Sequence, residues 1–144
     1  MILLDTHAWI WFISNPELLS SKARKAVEAS LQQKVVYISS ISVWEDALLV
    51  MRKRLKLTMP VGDWVQKSEQ LSYMKFVPVT NSIALRSVNL ATPLHNDPAD
   101  RIIIATAMSL GASVITKDDK IRKYPHVRSN LVIQSKLTVR LCGV

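Results

Sequence analysis

Short apolar runs, each followed by a stretch with helical periodicity, recur along this sequence. That alternation limits the fold more than any other feature. Ile2-Leu3-Leu4, Val35-Val36-Tyr37-Ile38, Phe76-Val77-Pro78-Val79, Ser113-Val114-Ile115-Thr116 and Leu131-Val132-Ile133 have the length and side-chain character of strands. Pro78 suits a strand end or edge, because it cannot donate to a ladder. Between these runs lie helical patterns. Thr6 opens one that carries Trp9, Trp11 and Phe12, and Ser20 or Ser21 opens another with Ala23, Ala26, Val27 and Leu31 on one face. Residues 42–55 form a third, with Arg52, Lys53 and Arg54 in its last turns, near the negative end of the dipole. Pro60 starts a fourth through Trp64, Val65 and Leu71, and residues 83–90 form a fifth. Asp97-Pro98 starts a long one to Leu110, with Gly111 as the residue that ends it. A short basic helix falls near residues 121–123.

Strands separated by helices require crossover connections, and these build a mainly parallel, twisted sheet covered on both faces. The expected fold is therefore a three-layer α/β/α single domain. A length of 144 residues, with 49% hydrophobic residues, suits one domain over 1–144 with a full core. One cysteine, Cys142, excludes a disulfide framework and a cysteine-based zinc site. The N-terminal apolar run is short and meets Asp5 at once, unlike a secretory signal. No apolar stretch reaches the ~20 residues of a membrane helix. The expected location is the cytoplasm, with no membrane partner.

In parallel sheets, ligands bind beyond the carboxyl ends of the strands. Asp5 directly follows the first strand, and Asp118 and Asp119 follow the fourth. Glu45 and Asp100 lie early in helices that start near the same edge. Two unit charges 4 Å apart repel by about 4 kcal/mol at an effective dielectric of 20. Carboxylates gathered there must protonate or share a cation, and oxygen-only ligands suit Mg²⁺ or Mn²⁺. Such an ion polarises a phosphoryl oxygen and activates water. Nineteen Lys and Arg against 11 Asp and Glu, a net charge of +8, favour a polyanionic partner. An acidic pocket on a basic protein fits a phosphodiester substrate.

Each acid also has a purely structural reading. Ser42-x-x-Glu45 matches a capping box, Asp97 and Asp100 stand at the cap and third position of a helix, and Asp5, Asp118 and Asp119 suit caps or turns. His7, His95 and His126 lack metal-ligand spacing among themselves. Trp9, Trp11, Trp44 and Trp64 lie on helical faces and suit packing or an interface better than base stacking. Lys53, Arg54 and Lys56 form a charge run that suits either a solvated face or a phosphate-contact patch. Three glycines in total exclude a Walker or dinucleotide fingerprint.

Four motifs in order carry a resemblance: Leu3-Leu4-Asp5-Thr6-His7; Ser42-Val43-Trp44-Glu45; His95-Asn96-Asp97-Pro98-Ala99-Asp100-Arg101 followed by Ile102-Ile103-Ile104-Ala105-Thr106-Ala107; and Val114-Ile115-Thr116-Lys117-Asp118. Over residues 1–124 the chain resembles the PIN-domain nucleases, and among them the VapC-type toxins of toxin–antitoxin pairs. The resemblance implies a Mg²⁺- or Mn²⁺-dependent endoribonuclease in which Asp5, Glu45, Asp100 and Asp118 form the catalytic quartet. Asp5, Asp100 and Asp118 would hold the metal. Thr116 would stand beside the metal-bound water or the phosphate, and Thr6 near Asp5. Asp119 is the rival of Asp118, which has the family's offset from Thr116. A homodimer and an antitoxin whose tail blocks the pocket are also implied.

The chain departs from the family pattern in three places. Asp46 stands where an apolar residue is usual, Ala99 replaces a common Phe, and residues 134–144 do not resemble the usual ending. A catalytically inactive RNA-binding module of the same fold is the alternative, but retention of all four acids counts against it. Phosphatases that use Asp-x-Asp after the first strand match poorly, because Asp5 is followed by Thr6 and His7. Receiver domains match poorly too, because no acidic pair precedes the second strand.

Overall fold

The computed structural model describes residues 1–94, 96–127 and, for the backbone alone, 129–131. Its elements in chain order are β1 (Ile2–Leu4), α1 (Thr6–Ser14), a 3-10 turn (Pro16–Leu18), α2 (Ser21–Gln32), β2 (Val36–Ser39), α3 (Ile41–Met51) and α4 (Val61–Glu69). These are followed by β3 (Met74–Val77), α5 (Asn81–Val88), α6 (Pro98–Leu110), β4 (Ser113–Thr116), α7 (Asp119–Lys123) and β5 (Ser129–Leu131). The five strands form one sheet in the order β3-β2-β1-β4-β5, and every pairing is parallel. The expected α/β architecture is the observed one.

The central strand shows why its sequence is uniformly apolar. Leu3 and Leu4 are fully buried, and Ile2 nearly so. Successive side chains point to opposite faces. Ile2 and Leu4 pack with Val36, Ile38 and Ile115 against Trp9 of α1, Ala23 and Val27 of α2, and Trp64 of α4. Leu3 and Val114 pack on the other face against Ile103, Ile104 and Ala107 of α6 and Ile121 of α7. Both faces of β1 therefore need hydrocarbon. Truncating such a side chain, as in Leu4→Ala, typically costs about 2–5 kcal/mol.

The strand order also positions the site. The chain moves outward from β1 to β2 and β3, then returns to lay β4 on the other side of β1. The switch point therefore falls between the carboxyl ends of β1 and β4, where open parallel sheets bind ligands. Asp5 and Thr116 occupy these two strand ends. The Asp5 N–H donates to the Ile115 carbonyl at 3.0 Å, which continues the ladder by one residue.

Several local expectations are corrected. The helix expected over 42–55 ends at Met51, because Lys53 adopts a left-handed conformation with φ of 56°. The Arg54 N–H then donates to the Leu49 carbonyl at 2.9 Å and the Lys53 N–H to that of Val50 at 3.0 Å, the bonding of a Schellman ending. The third strand is Met74–Val77, so Pro78 lies just past its end. The last strand begins at Ser129, and residues 132 and 133 of the expected run lie outside the described residues, as does the atypical segment 134–144. Gly111 ends α6 as expected, with φ of 64°. Among the described residues, no helix is long and apolar enough to cross a membrane.

Candidate active site

Asp5 leaves β1 and caps α1. Its Oδ1 accepts the Ala8 N–H at 2.7 Å, and its Oδ2 accepts the Thr116 hydroxyl at 2.5 Å. The same Thr116 oxygen accepts the Asp118 N–H at 2.9 Å. One hydroxyl at the end of β4 thus ties the acid after β1 to the acid after β4. Asp118 in turn caps α7, its Oδ1 accepting the N–H groups of Lys120 (2.7 Å) and Ile121 (3.1 Å). Asp97 caps α6 through the N–H groups of Ala99 (3.0 Å) and Asp100 (3.2 Å). The capping readings hold for Asp5, Asp97 and Asp118, and these caps hold their carboxyl groups at the edge of one cleft.

The capping-box reading of Ser42 and Glu45 does not hold. The residue capping α3 is Ser40, whose side chain makes no capping bond. Ser42 lies inside the helix, buried, and its Oγ accepts the Thr6 hydroxyl at 3.0 Å. This bond joins α1 to α3 and sets Glu45, further along α3, over the same cleft.

The cleft is about 180 Å³ and is lined by Asp5, Thr6, His7, Glu45, Asp97, Asp100, Ile103, Lys117 and Asp118. Thr116 supports it from beneath through Asp5. Asp119, the rival fourth acid, is not among the lining residues. It faces solvent and pairs with Arg122 at 2.6 Å, because the first turn of α7 carries it away from the cap. Asp97, His7 and Lys117 also line the cleft, although their sequence positions point to a cap, to packing and to no site role respectively. The spacing of Asp97 and Asp100, one helical turn apart, was the available signal for the first. A larger cavity of about 390 Å³ lies near Gly111 and His126, at the opposite end of α6, and has no acid in its lining.

Gathering these acids shifts their titration. Burial pushes the Asp5 carboxyl up to about 6, against the Thr116 hydroxyl, the Ala8 N–H and the Lys117 charge, which favour its ionised form. Burial pushes Glu45 up to about 7; the Thr6 hydroxyl opposes this, while Asp5 and Asp97 add to it. Asp100 rises to about 8, first through burial and then through repulsion from Asp97, Asp118, Glu45 and Asp5. Burial lowers His7 to about 4. Lys117 is therefore the cleft's formal cation at neutral pH among the described residues.

The donor set suits a hard divalent ion. It is all oxygen, it carries several like charges, and Glu45 Oε1 is buried without a hydrogen-bond partner. Among the described residues, no three acid or histidine side chains are drawn together as a ready-made metal cluster.

Behind Glu45, Asp46 is fully buried, and neither of its carboxyl oxygens has a hydrogen-bond partner. Burial, and then the neighbouring Glu45, push it up to about 8. The neutral form is therefore the one its surroundings tolerate.

Known proteins share this fold. The family model described as PIN domain matches residues 2–127. The chain is 35% identical over 127 residues to Ribonuclease VapC22 of Mycobacterium tuberculosis, covering 88% of this chain and 94% of that protein. Among solved structures, VapBC2 of Rickettsia felis bound to a promoter DNA fragment superposes with a TM-score of 0.64 at 18% identity, covering 92% of this chain and 99% of that one. FitAcB of Neisseria gonorrhoeae gives a TM-score of 0.58 at 25% identity, covering 90% and 96%. A toxin–antitoxin complex of Klebsiella pneumoniae gives 0.59 at 24%, covering 88% and 95%. The motifs, the five-stranded parallel sheet, the acid-lined cleft at its switch point and these matches together show that this chain belongs to the PIN-domain family, of the VapC type.

Proposed function

We propose that this chain is the toxin of a toxin–antitoxin pair and hydrolyses RNA phosphodiester bonds with the help of Mg²⁺ or Mn²⁺. One observation carries the reading: acids that follow β1 and β4 and acids on α3 and α6, distant in sequence, line a single cleft. Asp5, Asp100 and Asp118 would hold the cation, with Glu45 completing the catalytic quartet. When bound, the cation polarises a phosphoryl oxygen and lowers the pKa of water.

The protein's own groups do the rest. Thr116 donates to Asp5 and keeps that carboxyl ionised and oriented. Thr6 lies against Glu45 and restrains it. Glu45, raised toward neutrality, is suited to take a proton from the attacking water near physiological pH. Asp97 adds negative charge at the mouth of the cleft. Setting the quartet aside leaves seven acids against 19 basic residues, a surface suited to gripping an RNA backbone.

The antitoxin partner is supported by the solved relatives, among them the toxin–antitoxin complex of Klebsiella pneumoniae and VapBC2 of Rickettsia felis bound to promoter DNA. A homodimer is supported by apolar side chains left in solvent. Trp44 (55% exposed) and Met51 (69%) lie on α3, and Leu85 (67%) and Val88 (74%) on α5; both helices pack on α6. Large apolar side chains this exposed on two helices that share a neighbour suit a contact surface. A cytoplasmic location follows from this reading, since both RNA and antitoxin are there.

Induced expression in a bacterial host tests the whole proposal. The expected result is growth arrest with new RNA 5′ ends at a limited set of positions, both absent for Asp5→Asn. Arrest without new RNA ends would overturn it.

A further inference from the structure

Lys117 sits where a cation is least expected, in the wall of a cleft dominated by carboxylates. No ion pair holds its ammonium among the described residues. It is placed over the ring of Trp11 instead, 5.4 Å from the centroid, and Trp11 is steadied by the edge of His7 at 6.3 Å. Trp11 is partly buried and packs against the α1-side core, so the platform is fixed to the fold. The arrangement keeps the ammonium within electrostatic reach of Asp5 and His7 without closing an ion pair onto an acid.

An ion pair with Asp5 or Asp118 would use up the charge. A π face holds a cation while leaving its N–H donors available. His7 meets the indole ring in a T-shaped contact and so braces the platform. The cleft thus presents one free ammonium beside its acids, on the α1 side.

We infer that Lys117, held over Trp11, binds a backbone phosphate of the RNA next to the scissile one and sets its register in the cleft. Trp11 is the positioning residue and Lys117 the contact. The inference rests on the RNA-hydrolase reading for its substrate, but it concerns binding and can be measured apart from turnover. A single ammonium–phosphate contact predicts one unit of counterion release, about 0.7 in the slope of log affinity against log salt for a single strand. A charge-assisted hydrogen bond lost from the complex corresponds to about tenfold in affinity.

The test uses the full chain and a fluorescein-labelled, unstructured 20-nucleotide RNA. Affinity is measured by anisotropy in EDTA from about 50 to 300 mM KCl, and kcat and KM are measured separately with Mn²⁺. Lys117→Gln is expected to weaken binding about tenfold, reduce the salt slope by about 0.7 and raise KM more than it lowers kcat. Lys117→Arg keeps the charge and is expected within about threefold of wild type. Trp11→Leu is expected to lose about two- to fivefold, from the missing cation–π contact. Equal affinity and equal slope for wild type and Lys117→Gln would overturn the inference, whether or not RNA is cleaved. If wild type cleaves no RNA with Mn²⁺ yet the slope falls as expected, the hydrolase reading fails and the phosphate contact stands.

Discussion

The Thr116 hydroxyl donates to Oδ2 of Asp5 across 2.5 Å, joining the ends of two adjacent strands that are 111 residues apart in sequence. The bond is buried, favours the ionised form of Asp5, and leaves the Thr116 oxygen to accept the Asp118 N–H. A single hydroxyl therefore orients two of the acids that the proposed chemistry needs.

Thr116→Val keeps the shape of the side chain and removes both of these bonds. The account predicts RNA cleavage reduced about 10- to 100-fold, with the pH at which activity rises moved upward because Asp5 loses a group that favours its charge. Thr116→Ser should recover most of the rate. A pH–rate profile of the three proteins checks this, and a valine variant with the wild-type rate and profile would contradict it.

Much of this site could be read directly from the sequence. A strand ends where its apolar run ends, so Asp5 after Leu4 and Asp118 after Thr116 fall at the carboxyl edge by counting. Ser42 could not be read in the same way. Its role depends on Thr6, 36 residues earlier, and only packing of α1 against α3 shows that its hydroxyl bonds there and does not cap a helix. The end of α3 is not legible in the sequence, because Lys53, a residue without glycine's freedom, adopts the left-handed conformation. The start of β3 is equally hidden, because pairing with β2, Val36 against Met74, sets it where local β propensity is weak.

Asp46 provides a stability prediction. The unfolded carboxyl titrates near 3.8, while the folded one is pushed up to about 8 by burial. Between these values the folded state binds more protons than the unfolded state, so stability falls as pH rises from about 4 to about 8 and levels off above. Asp46→Leu removes this titration. It should stabilise the metal-free protein at pH 8 by on the order of 2 kcal/mol, an increase in Tm of several degrees, with less effect at pH 4. Thermal melts across this range in EDTA check it; a variant less stable than wild type at pH 8 would contradict it.

Cation binding should release protons. Near pH 7 Asp100 is mostly protonated and Glu45 about half, since burial and neighbouring acids raise them to about 8 and about 7. A divalent ion favours the ionised forms, so Mn²⁺ affinity should rise with pH up to about 8. Calorimetry at pH 7 in buffers of different ionisation enthalpy should detect release of about one proton per ion. Binding heats independent of buffer would contradict this.

The exposed residues of α3 and α5 predict assembly. Val88→Asp places a charge in the proposed dimer face and should shift sedimentation from dimer toward monomer, with the melting temperature of the monomer little changed because Val88 is 74% exposed. A wild-type protein that sediments as a monomer at tens of micromolar would contradict the interface.

The central claim is that the converging carboxylates carry RNA hydrolysis, and single-turnover cleavage of a labelled RNA with Mn²⁺ tests it most directly. Wild type should cleave. Asp5→Asn and Asp100→Asn, each shown by thermal melting to be folded, should fall at least about 10³-fold, and EDTA should abolish wild-type cleavage. Cleavage by both folded variants at the wild-type rate, or undiminished cleavage in EDTA, would contradict the account.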